Sequence, residues 1–137
     1  MKTKLSLIIM LLYSCWLYAT PRTPKQALEI AQAFVASHGL IKSDDAPQLQ
    51  LMNSEITITR GPEIYPAYYI INIEKDNGFI IVSGNDCARE ILAYSDRGSI
   101  DIKQLPPNAK YWLEFYATEM QQINQKSISG ENQSESQ

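Results

Sequence analysis

Apolar residues fall along this chain in three distinct patterns. From Leu5 to Leu12 the run is unbroken except for Ser6, and Trp16, Leu17 and Tyr18 extend it. From Thr23 the pattern turns periodic. Ala27, Ile30, Ala31, Phe34 and Val35 recur at helical spacing. Thr23 is a good N-cap, Pro24 suits the first helical position and Gln26 completes a capping box. Gly39 after His38 is a natural stop. The spacing then shortens to two. Leu49–Met52 and Ile56–Thr59 read as short strands, and Gly61-Pro62 and Pro66 break the pattern after them. Ala67–Glu74 alternates, with Tyr69, Ile71 and Ile73 on one side. Lys75-Asp76-Asn77-Gly78 reads as a hairpin turn, because Asn-Gly supplies positive φ. Phe79–Val82 returns as a near-continuous apolar strand, suited to a position covered on both sides. Ile91–Tyr94 is the last strand. After Pro106-Pro107 the helical period returns through Ala109, Trp112, Leu113, Tyr116, Met120 and Ile123.

These elements predict an α+β fold: a small antiparallel sheet of three to five strands, with an N-terminal and a C-terminal helix packed on one face. The domain is expected over residues 20–125, without internal repeats. Residues 126–137 are mostly Ser, Gln, Asn and Glu, with no aromatic residue, and read as a disordered polar tail.

The first apolar run is a targeting segment. Lys2 and Lys4 give it a positive start, and it is short for a membrane span, which takes about 20 residues. Two processing routes fit. A cut after the small residue Ala19 makes residues 1–19 a signal peptide. Alternatively, Leu12-Tyr13-Ser14-Cys15 resembles a lipobox, so the signal would end at residue 14 and Cys15 would be lipidated. Either route exports the chain to the periplasm, the cell envelope or the medium of a bacterium. A lipid on Cys15 would be the only tie to a membrane. Twelve Lys and Arg against fifteen Asp and Glu give a net charge of -3, and loss of Lys2 and Lys4 leaves ten against fifteen, or -5. That balance disfavours nucleic acid as a partner. With Cys15 in the leader, Cys87 is left as a free thiol and no disulfide framework follows.

Candidate chemistry is sparse. His38 is the only histidine, and a dyad with Cys87 would lack an orienting group. A histidine ending a helix is more often a dipole partner, and a lone cysteine more often a small buried hydrophobe. Asp44 and Asp45 stand in a loop without further oxygen ligands at calcium-loop spacing. One His and two Cys are too few for a structural zinc site. Gly78, Gly84 and Gly98 punctuate strands and open no phosphate-binding helix. No enzyme, cofactor or metal is expected. Tyr65, Tyr68, Tyr69, Tyr94, Tyr111 and Tyr116 suit core packing first and a protein-binding face second.

Four strings in order carry a resemblance: Tyr68-Tyr69-Ile70-Ile71-Asn72-Ile73, Gly78-Phe79-Ile80-Ile81-Val82-Ser83-Gly84, Glu90-Ile91-Leu92-Ala93-Tyr94-Ser95 and Gly98-Ser99-Ile100-Asp101. Together they resemble the pro-domain of streptopain-type cysteine proteases and the free-standing streptopain inhibitors that carry the same domain. Arg89 stands where the family has proline and Ala93 where it has glycine. The resemblance implies a domain that covers the cleft of a papain-fold protease and disturbs its catalytic histidine. It further implies that Asn108, behind Pro106 and Pro107, reaches the protease's active-site region; the competing expectation makes Asn108 a helix cap. Trp112 is expected in the core.

The resulting expectation is an exported inhibitor of a streptopain-like cysteine protease, acting by non-covalent occlusion. Two alternatives stand beside it: a folding chaperone acting in trans on such a protease, and a surface-binding lipoprotein reusing the fold.

Overall fold

The computed structural model describes residues 20–40, 46–52, 56–74 and 76–134. Cys15, Asp44, Asp45 and the leader lie outside the described residues. The chain forms helix α1 (Pro24–His38), strands β1 (Leu49–Met52), β2 (Thr57–Arg60), β3 (Glu63–Pro66), β4 (Tyr68–Ile73), β5 (Phe79–Ser83) and β6 (Ile91–Ser95), a 3₁₀ turn (Ile102–Gln104) and helix α2 (Pro107–Ser134). The fold is α+β, as the periodicities predict.

Local signals fix α1. The Thr23 side chain accepts from Gln26 N–H, the Gln26 side chain accepts from Thr23 N–H, and Gly39 ends the helix at φ 61°. Ala27, Ala31 and Val35 are buried.

The main sheet is antiparallel in the order β1-β4-β5-β6, and β2 and β3 form a separate hairpin. Tyr68 of β4 pairs with Ser83 of β5, and Leu49 of β1 with Ile73 of β4. Alternation along the central strands then sorts side chains into two cores. Tyr69, Ile71, Ile73, Ile80 and Val82 pack with α1. Tyr68, Ile70 and Ile81 pack with Leu113, Ala117 and Met120 of α2 and with Ile58 and Tyr65 of the hairpin.

The two helices therefore cover opposite faces of the sheet, and the expectation of a single covered face is corrected. The reason is in the strands themselves. β4 is buried at every position, and Ile80, Ile81, Val82 and Ser83 of β5 are buried too, so each face needs its own cover.

Two glycines are forced by close approach. A Cβ on Gly78 would lie 2.2 Å from Ser95 O, and one on Gly84 would lie 1.8 Å from Pro66 O. In the β4–β5 turn, positive φ falls at Glu74, Asp76 and Gly78, not at Asn77.

The polar segment from residue 126 onward is helical through Ser134, where the sequence predicts a disordered tail. It holds no proline, and Gln, Lys and Glu are good helix formers that propagate a helix already nucleated upstream.

Candidate functional site

The residues from Gly98 to Phe115 form a platform that hydrogen bonds and core packing tie to the sheet, and the sequence motifs supply its supports. Asn72 is nearly buried in β4. Its Nδ2 donates to Ile100 O at 2.9 Å, and its Oδ1 accepts from Ile100 N–H at 2.9 Å. Ser99 Oγ donates to Asp76 Oδ1 at 2.6 Å. Asp101 caps the 3₁₀ turn by accepting from Lys103 N–H at 3.0 Å. Ile100, Ile102 and Leu105 then dip into the second core.

The chain emerges from that core at Pro106. Pro106, Pro107 and Asn108 are all exposed. The helix starts at Pro107, and Lys110 N–H donates to Pro106 O at 3.0 Å. Asn108 thus lies inside the first turn of α2 and is not its N-cap; Pro106 precedes the helix.

The buried arc of α2 runs through Leu113, Ala117, Met120 and Asn124. Asn124 belongs to the core because its Nδ2 donates to Thr59 O at 3.1 Å and to Tyr65 Oη at 2.7 Å. Tyr116 is half-buried on that side and shares a 3.0 Å hydrogen bond with Ser83. Burial raises the Tyr116 phenol above its ordinary pKa, with the Ser83 bond opposing.

Trp112 is not core. It is 42% exposed and stacks on Tyr116 at 6.3 Å. Tyr111 and Phe115 are more exposed still, at 70% and 54%. With Asn108 they stand at i, i+3, i+4 and i+7, on the helix face turned from the core. Three adjacent aromatics on a solvated face are unusual for a helix that needs them only for packing. Counting apolar residues alone hides this face. The signal that reveals it is the second apolar stripe, offset from Leu113 and Ala117.

The other candidates disperse. His38 ends α1, where its ring stacks on Phe34 at 3.9 Å and lies 6.0 Å from Tyr94. Cys87 is exposed in the turn after β5, with its Sγ donating to Asn85 Oδ1 at 3.1 Å. Their partners are separate, so the structure does not assemble a Cys–His pair. Desolvation, then the neighbouring Asp86 carboxylate, pushes the Cys87 thiol above its ordinary pKa, the opposite of an activated nucleophile. Among the described residues no group of three or more His, Cys, Asp or Glu could hold a metal ion, and no helix is long and apolar enough to cross a membrane. Tyr65, Tyr68 and Tyr69 are core, whereas Tyr94 and Tyr111 are exposed.

Comparison with known proteins agrees with the motifs. The profile of the Spi protease inhibitor family matches residues 19–120, a span that holds α1, the whole sheet, the platform and the aromatic face. The chain belongs to that family of protease inhibitors. It is also 25% identical over 112 residues to a thiol protease/hemagglutinin of Porphyromonas gingivalis, a match covering 82% of this chain and 13% of that protein. No solved structure matches the chain.

Proposed function

We propose that the chain is an exported inhibitor of a streptopain-like, papain-fold cysteine protease, and that it closes the active-site cleft without covalent chemistry. One observation carries the reading: Asn108, Tyr111, Trp112 and Phe115 form a continuous exposed face directly behind Pro106-Pro107. Exposed aromatics of this kind supply large contact area at low entropy cost, and Tyr and Trp are typical binding anchors. The two prolines fix φ and reduce the freedom lost on docking. From Pro107 the backbone is committed to helical hydrogen bonds, so it offers no extended strand for cleavage. The similar segment in a thiol protease supports a cysteine protease as the partner.

No catalytic role is assigned to the chain itself. Export places it in the periplasm, the cell envelope or outside the cell, beside its target.

The reading is tested by active-site protection. A streptopain-like protease is saturated with the chain and treated with a small cysteine-alkylating reagent. Protection of its catalytic thiol, with activity recovered on dilution, is expected. Full alkylation of the bound enzyme would reject occlusion. Faster refolding of the protease without inhibition would favour the chaperone.

A further inference from the structure

Thr20–Arg22 lies antiparallel to residues 84–86. Arg22 N–H donates to Gly84 O at 2.7 Å, Asp86 N–H donates to Thr20 O at 3.1 Å, and Pro21 bridges Asn85. The Arg22 guanidinium donates back to Ser83 O and Asn85 O. At the end of this ladder, Thr20 N lies 2.6 Å from Asp86 Oδ1.

The surroundings favour a cation there. Thr20 borders a groove of about 710 Å³ between the Thr20–Arg22 segment, α1 and the turn after β5. Its lining includes three carboxylates, Glu29, Asp86 and Glu90, against the single guanidinium of Arg22. A peptide N–H brings one donor and no charge to this place, whereas an ammonium brings three donors and a full positive charge. Thr20 follows Ala19, a small residue of the kind that precedes a leader-peptidase cut, and the family profile begins at residue 19.

We propose that the exported chain is cut between Ala19 and Thr20, and that the new α-ammonium of Thr20 pairs with the Asp86 carboxylate. In the cut, catalysed by a signal peptidase of the exporting cell, water adds across the Ala19–Thr20 peptide bond. The leader leaves with the Ala19 carboxylate, and Thr20 keeps the amine, which takes up a proton. Processing thereby completes the N-terminal ladder with a charge that the precursor lacks. The inference is independent of the inhibitory reading.

The test has two arms. The full chain is expressed in a bacterium with intact export, and the mature N-terminus is read by intact mass and terminal sequencing; Thr20 is expected. The Thr20-starting protein is then compared with its Nα-acetylated form, with and without Asp86→Asn. At pH 6 acetylation is expected to lower Tm by about 2–4 °C, the scale of one surface ion pair in a domain this small, and to do nothing in Asp86→Asn. The α-amino group ordinarily titrates near ~7.7–8.0, and pairing raises that value in the fold despite the nearby Arg22, with Glu29 and Glu90 adding to Asp86. The Tm gap is therefore full below the unfolded value and disappears as pH rises through the folded one. If Asp86→Asn does not fold, this pH dependence reads the same pairing. An N-terminus at Cys15 or Met1, a gap unchanged by Asp86→Asn, or a gap that persists at pH 10 would overturn the proposal.

Discussion

Asn72 grips Ile100 by both of its backbone polar groups, two hydrogen bonds of 2.9 Å from one nearly buried side chain. This is how β4 fixes the segment that leads to Asn108. Replacing Asn72 with Leu leaves the Ile100 N–H and C=O to find other partners. A loss of about 1–3 kcal/mol in stability is expected, together with weakened inhibition. Urea unfolding and an inhibition assay check both. Unchanged inhibition with the expected stability loss would detach the platform from function.

Trp112 and Leu113 are neighbours in sequence with opposite roles. Leu113 is 2% exposed, and Leu113→Ala should cost about 2–5 kcal/mol of stability. Trp112→Ala should cost less than about 1 kcal/mol of stability while weakening inhibition at least tenfold, as loss of an interface anchor does. Thermal melts and inhibition constants measured on both variants separate the roles.

Why the sequence misplaces Trp112 is a matter of which arc of α2 meets the hairpin. Apolar counting includes Trp112 and Ile123 and leaves out Asn124, yet Asn124 is buried, with its Nδ2 satisfied by Tyr65 and Thr59 and its Oδ1 left without a hydrogen-bond partner. That satisfaction depends on β3, which the sequence hides behind Gly61-Pro62 and Pro66. By contrast α1 is legible throughout, since its capping box and Gly39 stop act within a few residues. The pairing of β4 with β5 is likewise visible in alternation. The second covered face could be read from Phe79–Val82, whose apolar run requires cover on both sides. The aromatic face was present as residue types but not as a surface.

The environments of Gly84 and Gly39 set very different costs for an added methyl group. Gly84→Ala drives a methyl to within 1.8 Å of Pro66 O, so backbone must move, and a loss of about 3 kcal/mol or more is expected. Gly39→Ala meets nothing within 4 Å and carries only the strain of φ 61°, about 1–2 kcal/mol. Chemical denaturation of the two variants gives the comparison.

Cys87 takes no part in the proposed mechanism. Its thiol is held protonated by desolvation and by Asp86, so alkylation at neutral pH should be slower than for an unstructured cysteine. Cys87→Ser should inhibit as the parent does. A large loss of potency in a folded Cys87→Ser protein would instead point to a mixed disulfide with the target.

The most direct test of the central claim pairs inhibition with melting for Asn108→Ala. Asn108 is exposed in the first turn of α2 and caps nothing, so its removal should leave Tm almost unchanged. If the side chain enters the active-site region of a streptopain-like protease, the inhibition constant should rise by about tenfold to a hundredfold, equivalent to about 1–3 kcal/mol. A variant that melts early yet inhibits at full strength, or a parent chain that does not inhibit such a protease at all, would contradict the account.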